Sequence, residues 1–160
     1  MSTLTGIGYD CHPFVEGRRL VLGGVEVPHD RGLAGYSDAD VLTHAVTDAL
    51  LGAAGLGDIG EYFPDTDERY RNADSLDLLR EVAAMLLARG LTPVHVDVTV
   101  ILEAPRLADH REAMRAALAG KLGMSTDRVN VKATTAEGMG FIGRGEGAAA
   151  LAVATVERRG

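Results

Sequence analysis

Residues 74–105, DSLDLLREVAAMLLARGLTPVHVDVTVILEAP, carry two periodicities back to back, and the change from one to the other decides the fold class. Asp74 or Ser75 caps an amphipathic helix that runs to Arg89 and stops at Gly90. Beyond it Val94, Val96, Val98 and Val100 alternate with His95, Asp97, Thr99 and Ile101, which is a strand with one buried face; Ala104-Pro105 ends it. Toward the C-terminus follow a helix of about Leu107 to Leu122, a strand Val129 to Thr134, a glycine-rich turn and a final strand from about Gly147 to Val156. Toward the N-terminus, Thr5 to Asp10 and Leu20 to Val27 read as strands, the second interrupted at Gly23-Gly24 by a bulge or tight turn. Pro28 to Gly35 reads as loop. Ser37 is the expected N-cap of a helix reaching about Ala54, with Asp38 and Asp40 in its first turn and Gly55 and Gly57 beyond its end. Asp58 to Asn72, rich in Gly, Pro and Asp, is a candidate ligand lid. The order β-β-α-α-β-α-β-β predicts an α+β fold, a mixed β-sheet with three helices packed on one face, formed by residues 1–160 as a single domain.

Composition narrows the function classes. A chain of 160 residues with 46% hydrophobic content can bury one sizeable core. Net charge −7 without a Lys/Arg block argues against nucleic acid as a partner, while leaving room for a small phosphorylated ligand. Aromatic residues are only 4% and Trp is absent, so Ala, Leu, Val and Ile must build the core and there is no platform for stacking bases. No apolar run approaches the ~20 residues of a membrane span. Cys11 is the single cysteine, so no internal disulfide forms, and the first residues lack the pattern of a signal peptide; the cytoplasm is the expected compartment.

The chemistry concentrates at Asp10-Cys11-His12 and His44. In a strand Asp10 and His12 share a face and Cys11 points the other way. An imidazole from His44 on the first helix would complete two nitrogens and one oxygen, a set that suits Zn²⁺ and leaves a fourth tetrahedral position open. The same residues would serve equally as a turn acid and a hydrogen-bonded buried histidine. Asp40, four residues before His44, could orient its ring or simply be a helix-start acid. Cys11 has no adjacent base and reads as a small core residue. His95 and Asp97 read as surface or interface groups, and His29 and His110 as loop residues.

The segment Thr134 to Gly147 contains a formal G-x-G-x-x-G at Gly138, Gly140 and Gly143. It opens no helix of a βαβ unit, so it is not a dinucleotide fingerprint. It does bring exposed amides, the hydroxyls of Thr134 and Thr135, Glu137 and Arg144 into one turn. These could cradle a diphosphate with a hard cation on Glu137, or the stretch could be a flexible turn between strands.

Four groups of residues carry a resemblance over nearly the whole chain: Gly6 to Phe14; Ser37 to Asp40 with His44; Gly57 to Gly60 with Phe63 to Asp67; and Val129 to Thr135 with Gly143 to Gly147. Together they resemble the 2-C-methyl-D-erythritol 2,4-cyclodiphosphate synthases of the non-mevalonate isoprenoid pathway. The resemblance implies a homotrimer with active sites between neighbouring subunits, and an apolar channel at the trimer axis as a candidate site for an isoprenoid ligand. It implies Zn²⁺ on Asp10, His12 and His44, and a second divalent cation, Mg²⁺ or Mn²⁺, on Glu137 bridging the diphosphate. Substrate contacts are implied at Tyr36 and Ser37, at Asp58, Ile59 and Gly60, and in the loop Phe63, Pro64, Asp65, Thr66 and Asp67. Further contacts are implied at Thr134, Thr135, Ala136, Phe141 and Arg144. Leu102, Glu103, Ala104, Pro105, Arg106, Leu107 and Ala108 match the cytidine-binding segment. Tyr36 stands where many members have His, so position 36 can donate one hydrogen bond but carries no imidazolium. Ala39 replaces a commoner Gly, Arg106 a usual Lys, and Gly138-Met139 a bulkier pair.

The reaction so implied joins the 2-phosphate of 4-diphosphocytidyl-2-C-methyl-D-erythritol 2-phosphate to the β-phosphorus of its own diphosphate, releasing CMP. Tyr36 and Thr135 are the expected catalytic donors, and positioning of an ionised nucleophile replaces a general base. A zinc-dependent phosphohydrolase and a non-catalytic metal- or cytidine-nucleotide-binding module are the alternatives.

Overall fold

The structure, a computed structural model, describes residues 2–160. Its elements in chain order are β1 (Ser2–Glu16), β2 (Leu20–Leu22), β3 (Val25–Val27), β4 (Arg31–Leu33), α1 (Val41–Ala54), the single turn α2 (Ile59–Tyr62), α3 (Ser75–Ala88), β5 (Leu91–Ile101), α4 (Arg111–Leu122), β6 (Val129–Thr134), the single turn α5 (Gly140–Gly143) and β7 (Gly147–Arg158). Five strands form one sheet in the order β4-β1-β7-β5-β6, and β2 pairs with β3 in a separate hairpin. Only β5 and β6 run parallel; β7 is antiparallel to both β1 and β5, so the sheet is mixed and the fold α+β, as expected. No helix among the described residues is long and apolar enough to cross a membrane.

The three long helices share one face of the sheet. α1 lies on β1 and β7, α3 packs between α1 and α4, and α4 rests on β6. Sandwiched this way, α1 buries Val41, Leu42, Ala45, Val46, Ala49, Leu50 and Leu51 around most of its circumference, leaving the stripe His44, Asp48 and Gly52 open. It sits unusually low on β1. A Cβ added to Gly8 would lie 1.9 Å from the Ala45 carbonyl oxygen, and one on Gly6 would lie 2.1 Å from that of Ala49. Only glycine permits that approach, and the small Ala148, Ala150, Ala152 and Ala154 of β7 extend the shallow bed beneath the helix.

Several local expectations shift. β1 extends to fifteen residues because β7 pairs with it from Ser2 opposite Arg158 to Pro13 opposite Gly147, and β4 pairs with Phe14 to Glu16. Gly23 and Gly24, both at positive φ, divide the expected Leu20 to Val27 strand into a tight hairpin, and the expected loop contains β4, which pairs Phe14 with Leu33. Ser37 is not the N-cap of α1. Asp40 is: its buried carboxylate accepts from Thr43 N (3.0 Å), Thr43 Oγ1 (2.7 Å), Gly23 N (2.9 Å) and Gly24 N (2.7 Å), tying the hairpin to the helix start. Cys11 is exposed, not a core residue, because the odd positions of β1 face away from the helices. That outer face also exposes Ile7, Tyr9, Leu151 and Val153 at 66%, 56%, 42% and 41%, an apolar strip on paired strands.

Substituting Gly8→Ala should force α1 off β1 and destabilise the protein by about 3 kcal/mol or more, the upper end of overpacking costs. Urea denaturation monitored by circular dichroism would measure it, with Gly17→Ala, which meets no atom within 4 Å, as a comparison of the strain carried by φ alone.

Candidate functional site

The low seat of α1 delivers His44 to the helix-facing side chains of β1. Asp10, His12 and His44 each place a ligand-type atom within 4.8 Å of the others. Asp10 Oδ2 lies 2.9 Å from His12 Nε2 and 3.0 Å from His44 Nδ1, and the two ring nitrogens are 3.4 Å apart. One carboxylate oxygen and two imidazole nitrogens converging on a point is the donor chemistry of a three-ligand zinc site with an open position. The cluster opens into a cavity lined also by Tyr36, Ser37, Ile59, Phe63, Asp65, Tyr70 and Leu78, so an open metal position would face bound substrate.

Burial would raise the Asp10 carboxyl, but hydrogen bonds and charge from His12 and His44 outweigh it and hold it at about 2. Burial works against protonation of His44, yet the hydrogen bond it donates to Asp10 and the charges of Asp10, Asp40 and Asp38 leave it raised above its ordinary value. The pair is primed to exchange a proton for a cation.

The far edge of the His44 ring has partners that spacing did not reveal. Nε2 lies 2.7 Å from Ser75 Oγ and 3.1 Å from Ser37 Oγ. Asp40, the orienting acid that the i, i+4 spacing suggested, spends its oxygens on the hairpin and the helix start. The segment Asp58 to Asn72, the candidate lid, is more ordered than a bare loop: Asp58 caps α2, Asp48 Oδ1 accepts from Ile59 N (3.1 Å), Phe63 packs edge-on against Tyr70 (5.2 Å between centroids), and residues Glu68–Tyr70 form a 3₁₀ turn. The Tyr36 hydroxyl donates to the Asp67 carbonyl (3.1 Å), joining the lid to the loop before α1. Ala39 sits at φ 57°, in the left-handed region that glycine adopts freely.

A second cavity opens where β5 and β6 end, lined by Leu102, Glu103, Pro105, Arg106, Leu107, Ala108, Arg111, Ala133, Thr134 and Thr135. Glu103 Oε1 accepts from Ala136 N (2.7 Å) and fixes the turn after β6 against this wall. Arg111, which no motif singled out, has a buried Nε without an acceptor. Its only sequence signal was a position one turn beyond the implied cytidine segment. Both cavities lie at one end of the sheet, since Cys11 pairs with Ala149, Ala149 with Ile101, and Ile101 with Thr134. Three strand spacings separate β1 from β6, about 14 Å.

The remaining sequence candidates stand apart from both cavities. Asp58, Gly60, Pro64, Thr66 and Asp67 belong to the lid without lining the first cavity, and Ala104 is exposed beside the second. Glu137, at φ 55°, is exposed and lines neither; Phe141 is 40% exposed, and Arg144 donates to Glu146 Oε2 (2.8 Å) at the surface. The three glycines of the G-x-G-x-x-G pattern enclose the single turn α5 and lead into β7, with no βαβ unit around them.

Residues 3–157 match the model of the YgbB family. The chain belongs to that family. Among YgbB-type relatives, the 2-C-methyl-D-erythritol 2,4-cyclodiphosphate synthase of Rubrobacter xylanophilus is 61% identical over 156 residues, covering 96% of this chain and 94% of the relative. The bifunctional IspDF of Campylobacter jejuni superposes with a TM-score of 0.95 at 44% identity over 99% of this chain, which spans 43% of that longer protein. A 2C-methyl-D-erythritol-2,4-cyclodiphosphate synthase solved in a CDP-bound form superposes with a TM-score of 0.88 at 38% identity, covering 96% of this chain and 99% of that one.

Two outcomes are expected of the metal cluster. The protein should bind one Zn²⁺ per chain, and His44→Ala should bind none, as read by chelator competition. In metal-stripped protein the Asp10 contribution to stability is complete above pH 3.8 and is lost as pH falls toward about 2. The His44 contribution is complete below pH 6.5 and is lost as pH rises through its raised value. The stability advantage of wild type over His44→Ala, measured by urea denaturation with chelator present, should therefore peak between about pH 4 and 6.5.

Proposed function

We propose that this chain is a 2-C-methyl-D-erythritol 2,4-cyclodiphosphate synthase, a phosphorus–oxygen lyase of the non-mevalonate isoprenoid pathway. The observation that carries the reading is the convergence of Asp10, His12 and His44 on a cavity whose other walls are Tyr36, Ser37 and the lid. In this reading those three residues hold Zn²⁺ and Glu137 holds the second cation, Mg²⁺ or Mn²⁺. Bound there, the cations supply charge neutralisation and positioning at phosphate oxygens.

The reaction needs one bond made and one broken. An oxygen of the ionised 2-phosphate attacks the β-phosphorus, the new P–O bond closes the ring, and the bond from that phosphorus to the bridging oxygen breaks. The electron pair leaves with CMP. No proton is removed from the nucleophile, which fits a site without a nucleophile–base pair. The chain's own part is to fold the substrate so that its two phosphates meet, where intramolecular geometry can be worth an effective molarity of roughly 10⁵ M. Ser37, Asp58 to Gly60 and Phe63 to Asp67 hold the erythritol portion, and the Leu102 to Ala108 wall holds cytidine largely through backbone groups. Phe141 packs on the substrate, and Thr134, Thr135, Ala136 and Arg144 supply donors around the diphosphate, with Thr135 donating to charge that develops in transit. An acceptor on the nucleotide would also satisfy Arg111 Nε.

The assembly in this reading is a homotrimer in the cytoplasm, with each active site shared between neighbouring subunits. Two observations support it. The outer face of the sheet exposes Ile7, Tyr9, Leu151 and Val153 in paired positions, an apolar strip suited to a subunit interface, with its axis as the place for an isoprenoid ligand. Within one chain, Glu137 lines neither cavity, so a neighbour's turn could bring that carboxylate to the diphosphate.

Incubation with the cytidine-linked substrate, Zn²⁺ and Mg²⁺, followed by ³¹P NMR, tests the activity. Equimolar CMP and a cyclic diphosphate are expected, with turnover abolished by His44→Ala and lowered by at least ~100-fold in Glu137→Gln. A linear bisphosphate carrying ¹⁸O from labelled water would instead establish a phosphohydrolase, and nucleotide binding without turnover a binding module. Light scattering of the purified protein should give a trimer mass. The hydrogen bond from Tyr36 to the lid supports a loop-holding donor at this position. Tyr36→Phe should raise KM by roughly 2–10-fold, the scale of one hydrogen bond, with a smaller change in kcat.

A further inference from the structure

The hydroxyl of Ser75, the first residue of α3 and fully buried, stands between His44 and Asp38. It lies 2.7 Å from His44 Nε2 and donates to Asp38 Oδ1, while the Ser75 amide donates to Asp38 Oδ2 at 3.0 Å. The Asp40 amide adds a third donor to Asp38, at 3.1 Å. A carboxylate surrounded by donors only accepts, and a serine hydroxyl has one proton. That proton goes to Asp38, so Ser75 offers a lone pair to His44. The ring must then present its proton at Nε2. Ser37 Oγ, 3.1 Å from the same nitrogen, accepts from the Ala39 amide at 3.2 Å and is a second oxygen for that proton. With Nε2 committed as a donor, Nδ1 is the atom left to face Asp10 Oδ2 at 3.0 Å and His12 Nε2 at 3.4 Å; it shares a proton with that carboxylate until a cation takes the proton's place and meets its lone pair.

We propose that Ser75, oriented by Asp38, is a positioning residue that holds the His44 ring in the Nε2–H tautomer and turns its Nδ1 lone pair to a divalent cation. The proposal rests on the metal reading of the cluster. Its geometry assigns to α3 and to the loop before α1 the role that i, i+4 spacing had offered to Asp40. Ser75 is the first residue of α3, directly after its N-cap Asp74, so the placement of that helix end sets where the hydroxyl stands. Loss of such an outer hydrogen bond typically weakens a metal site 10–100-fold.

The test uses the full chain with ¹⁵N-labelled histidine, loaded with Zn²⁺. Long-range ¹H–¹⁵N correlation should show a proton on His44 Nε2 that exchanges slowly in the wild type and rapidly in Ser75→Ala. Chelator competition with Zn²⁺ should show about 10–100-fold weaker binding by Ser75→Ala. Ser75→Thr, which keeps the hydroxyl, should retain the slowly exchanging Nε2 proton and restore most of the affinity. A Zn²⁺-loaded wild type with the His44 proton on Nδ1, or with a rapidly exchanging Nε2 proton, would overturn the proposal even if Ser75→Ala failed to fold. So would equal Zn²⁺ affinity in folded wild type and Ser75→Ala. Failure of the wild type to bind Zn²⁺ at all would instead overturn the metal reading, and the proposal with it.

Discussion

The close contact between α1 and β1 governs both the fold and the site. Two residues without side chains, Gly6 and Gly8, let the helix backbone settle onto the strand at distances where any Cβ would overlap the carbonyls of Ala49 and Ala45. His44 sits one position before Ala45, so the depth of that contact sets whether its ring reaches Asp10 and His12. A helix resting on ordinary side chains stands about 10 Å above a sheet, too far for an imidazole and a strand carboxylate to meet this closely. The alanines of β7 continue the same bed, which explains why a chain so poor in aromatic residues packs densely here: small residues bring backbones together instead of filling a gap between them.

Around that contact the acids divide their work by which donors reach them. Asp40 is wholly committed to structure, accepting from two amides of the β2–β3 hairpin and from Thr43 at the start of α1. Asp38 binds the start of α3, and Asp10 faces the two histidines. Three carboxylates close together would repel one another if each were left unpaired in a low-dielectric interior. Here the buried oxygens meet N–H or O–H groups, and the one with imidazole partners is held well below the ordinary carboxylate range. The arrangement leaves a cavity with a strongly polar floor at Asp10, His12 and His44 and a lid fastened by the Tyr36 hydroxyl.

Much of this was legible in the chain. The switch from helical to alternating periodicity at Gly90 located α3 and β5, and the glycine and proline stops located most other boundaries within a few residues. The pairing of Asp10 with His12 followed from strand parity alone. The core reading of Cys11 was wrong: a residue between two helix-facing side chains faces outward, and the thiol is exposed. The Ser37 cap was misplaced because several residues near a helix start have suitable oxygens, and the choice among them depends on donors from the distant hairpin and from α3. The extra length of β1 and the existence of β4 were hidden for a similar reason: pairing partners more than a hundred residues away, or across a turn, stabilise backbone whose local sequence is ambiguous.

By itself the sequence determined the α+β class and the order of the long elements, which periodicity records, and its resemblance to a family supplied the three ligand-type residues that spacing had left open. Tertiary structure alone decided that Ser75 and Asp38, not Asp40, stand behind His44, that the cavities at the ends of β1 and of β5 and β6 open at the same end of one sheet, and that the outer sheet face carries a bare apolar strip on β1 and β7. The physical reason is that a hydrogen bond or a bare surface is a property of which groups the packed chain brings together. Residues 38, 44 and 75 have no common spacing for a helix or a strand to express; they meet because α1 and α3 are packed side by side on the glycine-thinned strand β1.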